Sequence, residues 1–201
     1  MSSSIQFDFV KDYILEDERV LLRPLLSTDI DFLSPYVLTE PDIWAYSLMT
    51  IQSKADLEKY IKIATIAREE KREYAFIVFD KLSQTYVGST RFYDMQLNFD
   101  TVQLGYTWYS KNVWGSGLNQ HCKFLLLQFA FEQMNLVRVE FRADNNNKRS
   151  IAAMQKIGCT IEGVMRSHLP KPDGTRRDSI ILSILKTEWD AKVKANLQNQ
   201  L

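Results

Sequence analysis

Two glycines one residue apart, Gly115 and Gly117, stand in "NVWGSGLNQHCKFLLL", between an aromatic strand-like run and an apolar helix-like run. Glycine loses more conformational freedom on folding than any other residue, so a close pair marks a place where side chains would obstruct. A strand that enters a helix through glycines leaves backbone N–H groups aimed outward at the positive end of the helix dipole. With no side chains in the way, a diphosphate can lie directly on those donors without Lys or Arg. Neither G-x-G-x-x-G nor G-x-x-x-x-G-K-[ST] is present, so the common nucleotide fingerprints do not apply. Alone, the pair is more simply a tight turn.

Other chemistry-bearing residues lie downstream. Asn147 and Ser150 open a helix-like run "NKRSIAAMQKIGC" with the spacing of a helix cap, and the same polar groups could face a ligand. His168 precedes the turn "PKPDGT" and has the ordinary pKa of about 6.5 that suits a general base. A surface or core histidine is its plainer reading. His121 falls in the first turn after the glycines and flanks the loop. Cys122 and Cys159 have no metal-ligand spacing, and both are expected as reduced, buried thiols. Cys122 lies on the expected buried face of its helix, which makes it a poor nucleophile.

The elements that must position these residues follow from periodicity. "ERVLLRPL" reads as a strand ended at Pro24, and "STDIDFLSPYV" as a helix opened by Ser or Thr. "SKADLEKYIKIATIAREEKRE" spaces Leu57, Ile61, Ala64 and Ile66 as an amphipathic helix. "YAFIVFD", "TYVGSTRFYDM" and "TVQLGYTWY" make three consecutive strands. A helix then runs from Leu118 to about Gln133, followed by "LVRVEFRA" with Val137, Val139 and Phe141 alternating. Gly158 ends the next helix in a left-handed cap, and two strands around "KPDGT" close the chain. The expected class is mixed α/β, with an antiparallel front and one parallel crossover through the Leu118–Gln133 helix.

Composition narrows the function classes. With 201 residues and no linker-like segment, one domain over 1–201 is expected, with an N-terminal extension over 1–15 and a helical tail over 187–201. Lys and Arg together equal Asp and Glu at 25 each, which argues against nucleic acid as a partner. No apolar run approaches the roughly 20 residues of a membrane span, and "MSSSIQFDFVKDY" has no signal-like pattern. A cytoplasmic location is the expectation.

The stretch Asn112-Val113-Trp114-Gly115-Ser116-Gly117 resembles the pyrophosphate loop of the GNAT N-acetyltransferases, usually written Q/R-x-x-G-x-G/A. "RVEFRADNNNKRSIAAMQKIGCTIEGVMR" resembles the family's next block, and "LGYTW" and "RVLLRPL" extend the likeness to roughly residues 15 to 190. The nearest branch is RimJ/RimL-like, whose members acetylate ribosomal-protein N-termini and various small amines. The resemblance implies a central sheet of about seven strands, splayed at two parallel central strands and flanked by about four helices. It implies acetyl-CoA as co-substrate, no metal, an amine acceptor that is a peptide N-terminus or a small molecule, and allows a homodimer. Trp108, Tyr109 and Ser110 would pair through their backbone with the pantetheine arm. The loop from Asn112 through Gly115, Ser116 and Gly117 to Leu118 and Asn119 would hold the diphosphate. Asn147 and Ser150 would face the pantetheine amide and the sulfur, N–H groups near Tyr109 the oxyanion, and His168 the acceptor amine. Trp44, Tyr46 and Tyr106 would line the acceptor pocket.

Three departures bear on the chemistry. The loop begins with the shorter Asn112, Gln103 replaces a carboxylate common before the loop, and Met154 falls where some members carry an acid Tyr. A GNAT fold that holds CoA without turnover is therefore the rival reading. A dinucleotide-binding fold is disfavoured by three consecutive strands before the glycines.

Overall fold

Eight strands run through the computed structural model, which describes residues 7–201. They are β1 (Leu15–Glu16), β2 (Val20–Pro24), β3 (Tyr74–Asp80), β4 (Thr85–Gln96), β5 (Thr101–Tyr109), β6 (Arg138–Asp144), β7 (Thr160–Pro170) and β8 (Arg176–Leu185). One sheet orders them β1-β2-β3-β4-β5-β6-β8-β7. The helices are α1 (Ile30–Thr39), α2 (Lys54–Glu69), α3 (Leu118–Gln128) and α4 (Lys148–Lys156), followed by helical turns over Lys186–Glu188, Trp189–Val193 and Lys194–Gln198. All neighbouring strands are antiparallel except β5 and β6. A parallel pair needs a long crossover, and α3, continued by a wider-turned segment Phe129–Gln133, supplies it.

Strand alternation divides the core between the two faces of the sheet. Phe76 and Val78 of β3 join the cluster that includes Leu118 and Leu126 of α3 and Ile151 of α4. Ala75 and Ile77 face the other way, against Leu33 of α1 and Leu57 and Ile61 of α2. The strand count exceeds the expected seven because of β1. Met1–Gln6 of the expected N-terminal extension lie outside the described residues, whereas Phe9, Tyr13 and Leu15 are buried in the main core. The expected tail is likewise a core element: Trp189 is fully buried and its Nε1 donates to Glu132 Oε1 at 2.9 Å.

The expected helix α2 and the expected left-handed end of α4 both form. Ser53 caps α2, its Oγ accepting from Asp56 N at 3.1 Å. Gly158 takes φ +101° after α4, and its N–H donates to Gln155 O at 3.0 Å. Three expectations fail for stated reasons. Neither Ser27 nor Thr28 caps α1: both lie in a short helical turn before it, and the buried Asp29 at the N-cap turns its carboxylate back to Leu26 N at 2.8 Å and to the Arg23 guanidinium. Ala67 rather than Ile66 completes the buried face of α2, because one residue is a rotation of about 100°. Val137 precedes β6 and is half exposed, so the inward alternation begins at Val139.

Candidate active site

β5 and β6 pair only over Thr101–Gln103 and Arg138–Glu140, although β5 runs on to Tyr109 and β6 to Asp144. Beyond that point the two strands part. A bulge on β5 drives the divergence: Ser89 faces Trp108 and Arg91 faces Gly105, so Tyr106 and Thr107 together oppose Thr90. Tyr106 is the residue that turns, with φ +49°. The gap widens into a cleft of about 560 Å³ that reaches from the glycine loop and α4 to His168 and Arg177.

At one end of the cleft the glycines behave as their spacing predicts. Gly115 has φ +74° and Gly117 φ +88°, and a Cβ on either would project into open space. The N–H groups of Gly115, Gly117 and Asn119 find no acceptor among the described residues, and Gly117 is the N-cap of α3. Three free donors at a helix N-terminus, behind a surface that only glycine leaves bare, fit a diphosphate. Arg149 lies over the Trp114 ring at 3.5 Å, adding a cation beside the loop. Ser116 serves the loop itself: its Oγ donates to Val113 O at 2.8 Å. Val113, Trp114, Gly115, Gly117 and Asn119 line the cleft; Asn112 and Ser116 turn outward to solvent, and Leu118 is buried in the core.

Of the backbone expected to be free at the end of β5, only part is. Ser110 N–H is committed to Val87 O at 2.8 Å, and Ser110 Oγ donates to Glu40 Oε1 at 3.2 Å. In an antiparallel ladder the next N–H back, that of Tyr109, then points away from β4 into the gap. The Tyr109 side chain goes the opposite way, into the core beside Cys122. Burial pushes that hydroxyl's pKa well above 10, so the ring has no acid role in the cleft. Burial also pushes Cys122 up to about 12, which makes the thiol inert.

Asn147 Oδ1 accepts from Ser150 N at 3.1 Å, so Asn147 is the cap of α4 and Ser150 contributes only its backbone. Ser150 Oγ has no hydrogen-bond partner among the described residues, and the residue lines the cleft. This separates stability from chemistry. Asn147→Ala is expected to cost about 0.5–2 kcal/mol, and Ser150→Ala less than about 0.5 kcal/mol, in urea unfolding. A fall in turnover of Ser150→Ala would then report on the ligand. Unchanged turnover at saturating donor would leave Ser150 as helix backbone.

At the other end stand the expected acceptor-side residues. Tyr46 is exposed, and Tyr106 packs edge-on against Tyr93 at 4.9 Å with the Arg91 guanidinium behind it at 4.3 Å. Trp44 reaches the cleft but is mostly packed, 4.7 Å from the Trp108 ring. Gln103 is buried and donates from Nε2 to Asp94 Oδ2 at 2.6 Å. His168 Nδ1 lies 2.9 Å from Ser179 Oγ. Burial first, then the Arg142, Arg177 and Arg176 charges, lower its pKa below the ordinary value and keep the ring neutral at neutral pH. His121 does not face the cleft as a base. Its Nδ1 meets Asp17 Oδ2 at 2.8 Å, and with Glu18 these groups bring ligand atoms within 4.8 Å of one another.

Two cleft residues escape sequence reasoning. Lys123 of α3 is buried, with its Nζ 2.8 Å from Thr107 Oγ1 in the bulge. Arg177 of β8 is buried beside His168. A Lys in an amphipathic helix reads as a solvated face, and nothing in the sequence says that the strands part behind it.

The acetyltransferase (GNAT) domain family model matches residues 19–160. The chain belongs to the GNAT acetyltransferases. Among curated relatives, YdaF of Bacillus subtilis, provisionally named a ribosomal N-acetyltransferase, is 27% identical over 180 residues, 88% of this chain and 96% of its own. The uncharacterized N-acetyltransferase p20 of Bacillus licheniformis is 25% identical over 179 residues, 87% of this chain and 97% of its own. In fold, Mycobacterium smegmatis RimJ, solved with CoA-disulfide, superposes with a TM-score of 0.78 at 18% identity, covering 94% of this chain and 93% of that one. YdaF by its name and RimJ by its fold accord with the RimJ/RimL-like resemblance of the sequence blocks. Within this GNAT chain the departures have a definite place: Met154 is buried on the cleft wall, and Gln103 sits where the strands begin to part. Among the described residues no helix is long and apolar enough to cross a membrane.

Proposed function

We propose that this GNAT protein is an acetyl-CoA-dependent N-acetyltransferase that modifies a primary amine by direct attack in a ternary complex. One observation carries the reading: the strands part at the bulge, and the gap ends on three free N–H donors at the start of α3. A strand-shaped gap suits an extended amide-bearing arm, and the donors suit its diphosphate. The CoA-disulfide held by RimJ supports the same donor. Bound there, acetyl-CoA supplies an activated acyl group; the protein supplies position, a donor for developing charge and a route for protons.

Gly115, Gly117 and Asn119 hold the anionic end through their N–H groups. Tyr109 N–H is the donor placed for an oxyanion. Ser150 Oγ, free of protein partners, is placed to assist the leaving sulfur, whose thiol needs little help with a pKa of about 8.5. His168 is the base: an attacking amine must first lose a proton, and the neutral ring lies on the same cleft. Tyr46 and Tyr106 frame the acceptor entrance. The names of YdaF and of neighbouring ribosomal-protein acetyltransferases make a protein N-terminus one acceptor to test.

A thiol-release screen of acetyl-CoA against pooled amines and N-terminal peptides, beside CoA calorimetry, tests the reading. Turnover with at least one amine is expected. CoA binding with no turnover in any pool would favour the binding-module reading, which Gln103 and Met154 support. For the base, kcat/KM is expected to rise with pH through a limb below the ordinary histidine value of about 6.5, and His168→Gln to remove that limb. An unchanged limb in His168→Gln would make the ring structural.

A further inference from the structure

The acceptor end of the cleft holds two arginines whose terminal nitrogens have no hydrogen-bond partner among the described residues. Arg177 is 9% exposed, and its Nε donates to Ser179 Oγ at 2.9 Å. Its two terminal nitrogens have no hydrogen-bond partner among the described residues, and none of its nitrogens lies within ion-pair reach of a carboxylate there. Asp144, the acid on the cleft wall, acts on Arg177 only through space: it makes no ion pair with it and accepts from Asn146 N at 2.8 Å. Arg142, from the neighbouring strand, is ion-paired through Nε with Glu140 Oε1 at 2.7 Å, and its other nitrogens have no hydrogen-bond partner among the described residues. Both arginines line the cleft with His168. A guanidinium taken out of water without an anion is costly, and the cost is offset when an anion fills the space beside it. The planar fork of Arg matches carboxylate and phosphate oxygens two at a time.

We infer that the acceptor is an amine bearing its own carboxylate or phosphate a few bonds from the nitrogen, recognised by Arg177 and Arg142. The inference rests on the acetyl-transfer reading and adds the acceptor's class to it. With the anion on the arginines, the amine end falls on the His168 side of the cleft, where deprotonation is needed. An N-terminus followed by neutral or basic residues leaves the buried charge unanswered. The anion can come from a free amino acid, an aminoalkyl phosphate or an acidic side chain at the start of a peptide.

The experiment compares matched acceptors on the intact protein: amino acids with their amides, phosphoethanolamine with ethanolamine, and peptides beginning Ser-Asp with peptides beginning Ser-Asn. Thiol release gives kcat/KM, and calorimetry on CoA-loaded protein gives acceptor affinity independently of turnover. The acid of at least one pair is expected to exceed its neutral partner by about tenfold or more. Which pair does so identifies the source of the anion. Arg177→Gln is expected to bring that ratio to within about twofold, and Arg177→Lys to retain part of it. CoA affinity of each variant, measured on the same samples, shows that the fold is intact. Equal or better binding of every neutral partner to CoA-loaded protein would overturn the inference. Absence of CoA binding would overturn the acetyl-transfer reading itself.

Discussion

Gly117→Val is expected to abolish coenzyme A binding while the protein stays folded. Gly117 sits at φ +88°, a region that a β-branched residue occupies only under strain, and it caps the α3 N-terminus. No protein atom lies within 4 Å of the position a Cβ would take, so the substitution meets no clash inside the fold. The isopropyl group would instead occupy the bare space in front of the free N–H groups of Gly115, Gly117 and Asn119. Left-handed strain costs roughly 1–2 kcal/mol, small against the stability of a domain this size. Affinity should fall by about a hundredfold or more, roughly 3 kcal/mol, because the diphosphate is lifted off its donors. Calorimetry with CoA and a far-ultraviolet circular dichroism spectrum decide it. Equal affinity in a folded variant would remove the loop from the binding site, and the acetyl-CoA reading would lose its main support.

Gly117 was legible in the sequence for the reason that makes this substitution severe. A backbone that must turn left-handed and stay bare can be met by little other than glycine, so the demand shows in residue type. Asn147 is similar, because its side chain completes a helix end formed by the residues just after it. Tyr109 illustrates the limit. Its place at the end of β5 follows from the run "TVQLGYTWY", but which face its ring takes depends on a bulge at Tyr106 and Thr107 several residues earlier. One inserted residue exchanges the faces of a strand. Arg177 was hidden by topology: β8 lies between β6 and β7, so a residue that reads as the start of a hairpin strand comes to stand just past the end of β6 at the cleft. No local pattern reports that neighbour.

Lys123→Met is expected to stabilise the protein at neutral pH and to flatten part of its stability profile in alkali. Lys123 is 5% exposed and is held by Thr107 Oγ1 at 2.8 Å and Thr90 Oγ1 at 3.4 Å, with no ion-pair partner among the described residues. Burial pushes its pKa down from 10.5 to about 8. Below pH 8 both folded and unfolded chains hold the proton, and folding must bury the charge. Between about pH 8 and 10.5 the unfolded chain still binds the proton that the folded one has released, so this group makes stability rise with pH. The gap between the two pKa values corresponds to about 3 kcal/mol, an upper bound on what the buried ammonium costs at pH 7. Met fills nearly the same volume without charge, and the Thr90 and Thr107 hydroxyls, 2.8 Å apart, continue to satisfy each other. Urea unfolding should therefore show Lys123→Met ahead at pH 7, with its advantage shrinking toward nothing by about pH 10.5. A variant less stable than the parent at pH 7, or ahead by the same amount at every pH, would mean that the folded protein does not hold Lys123 as an unpaired ammonium of lowered pKa.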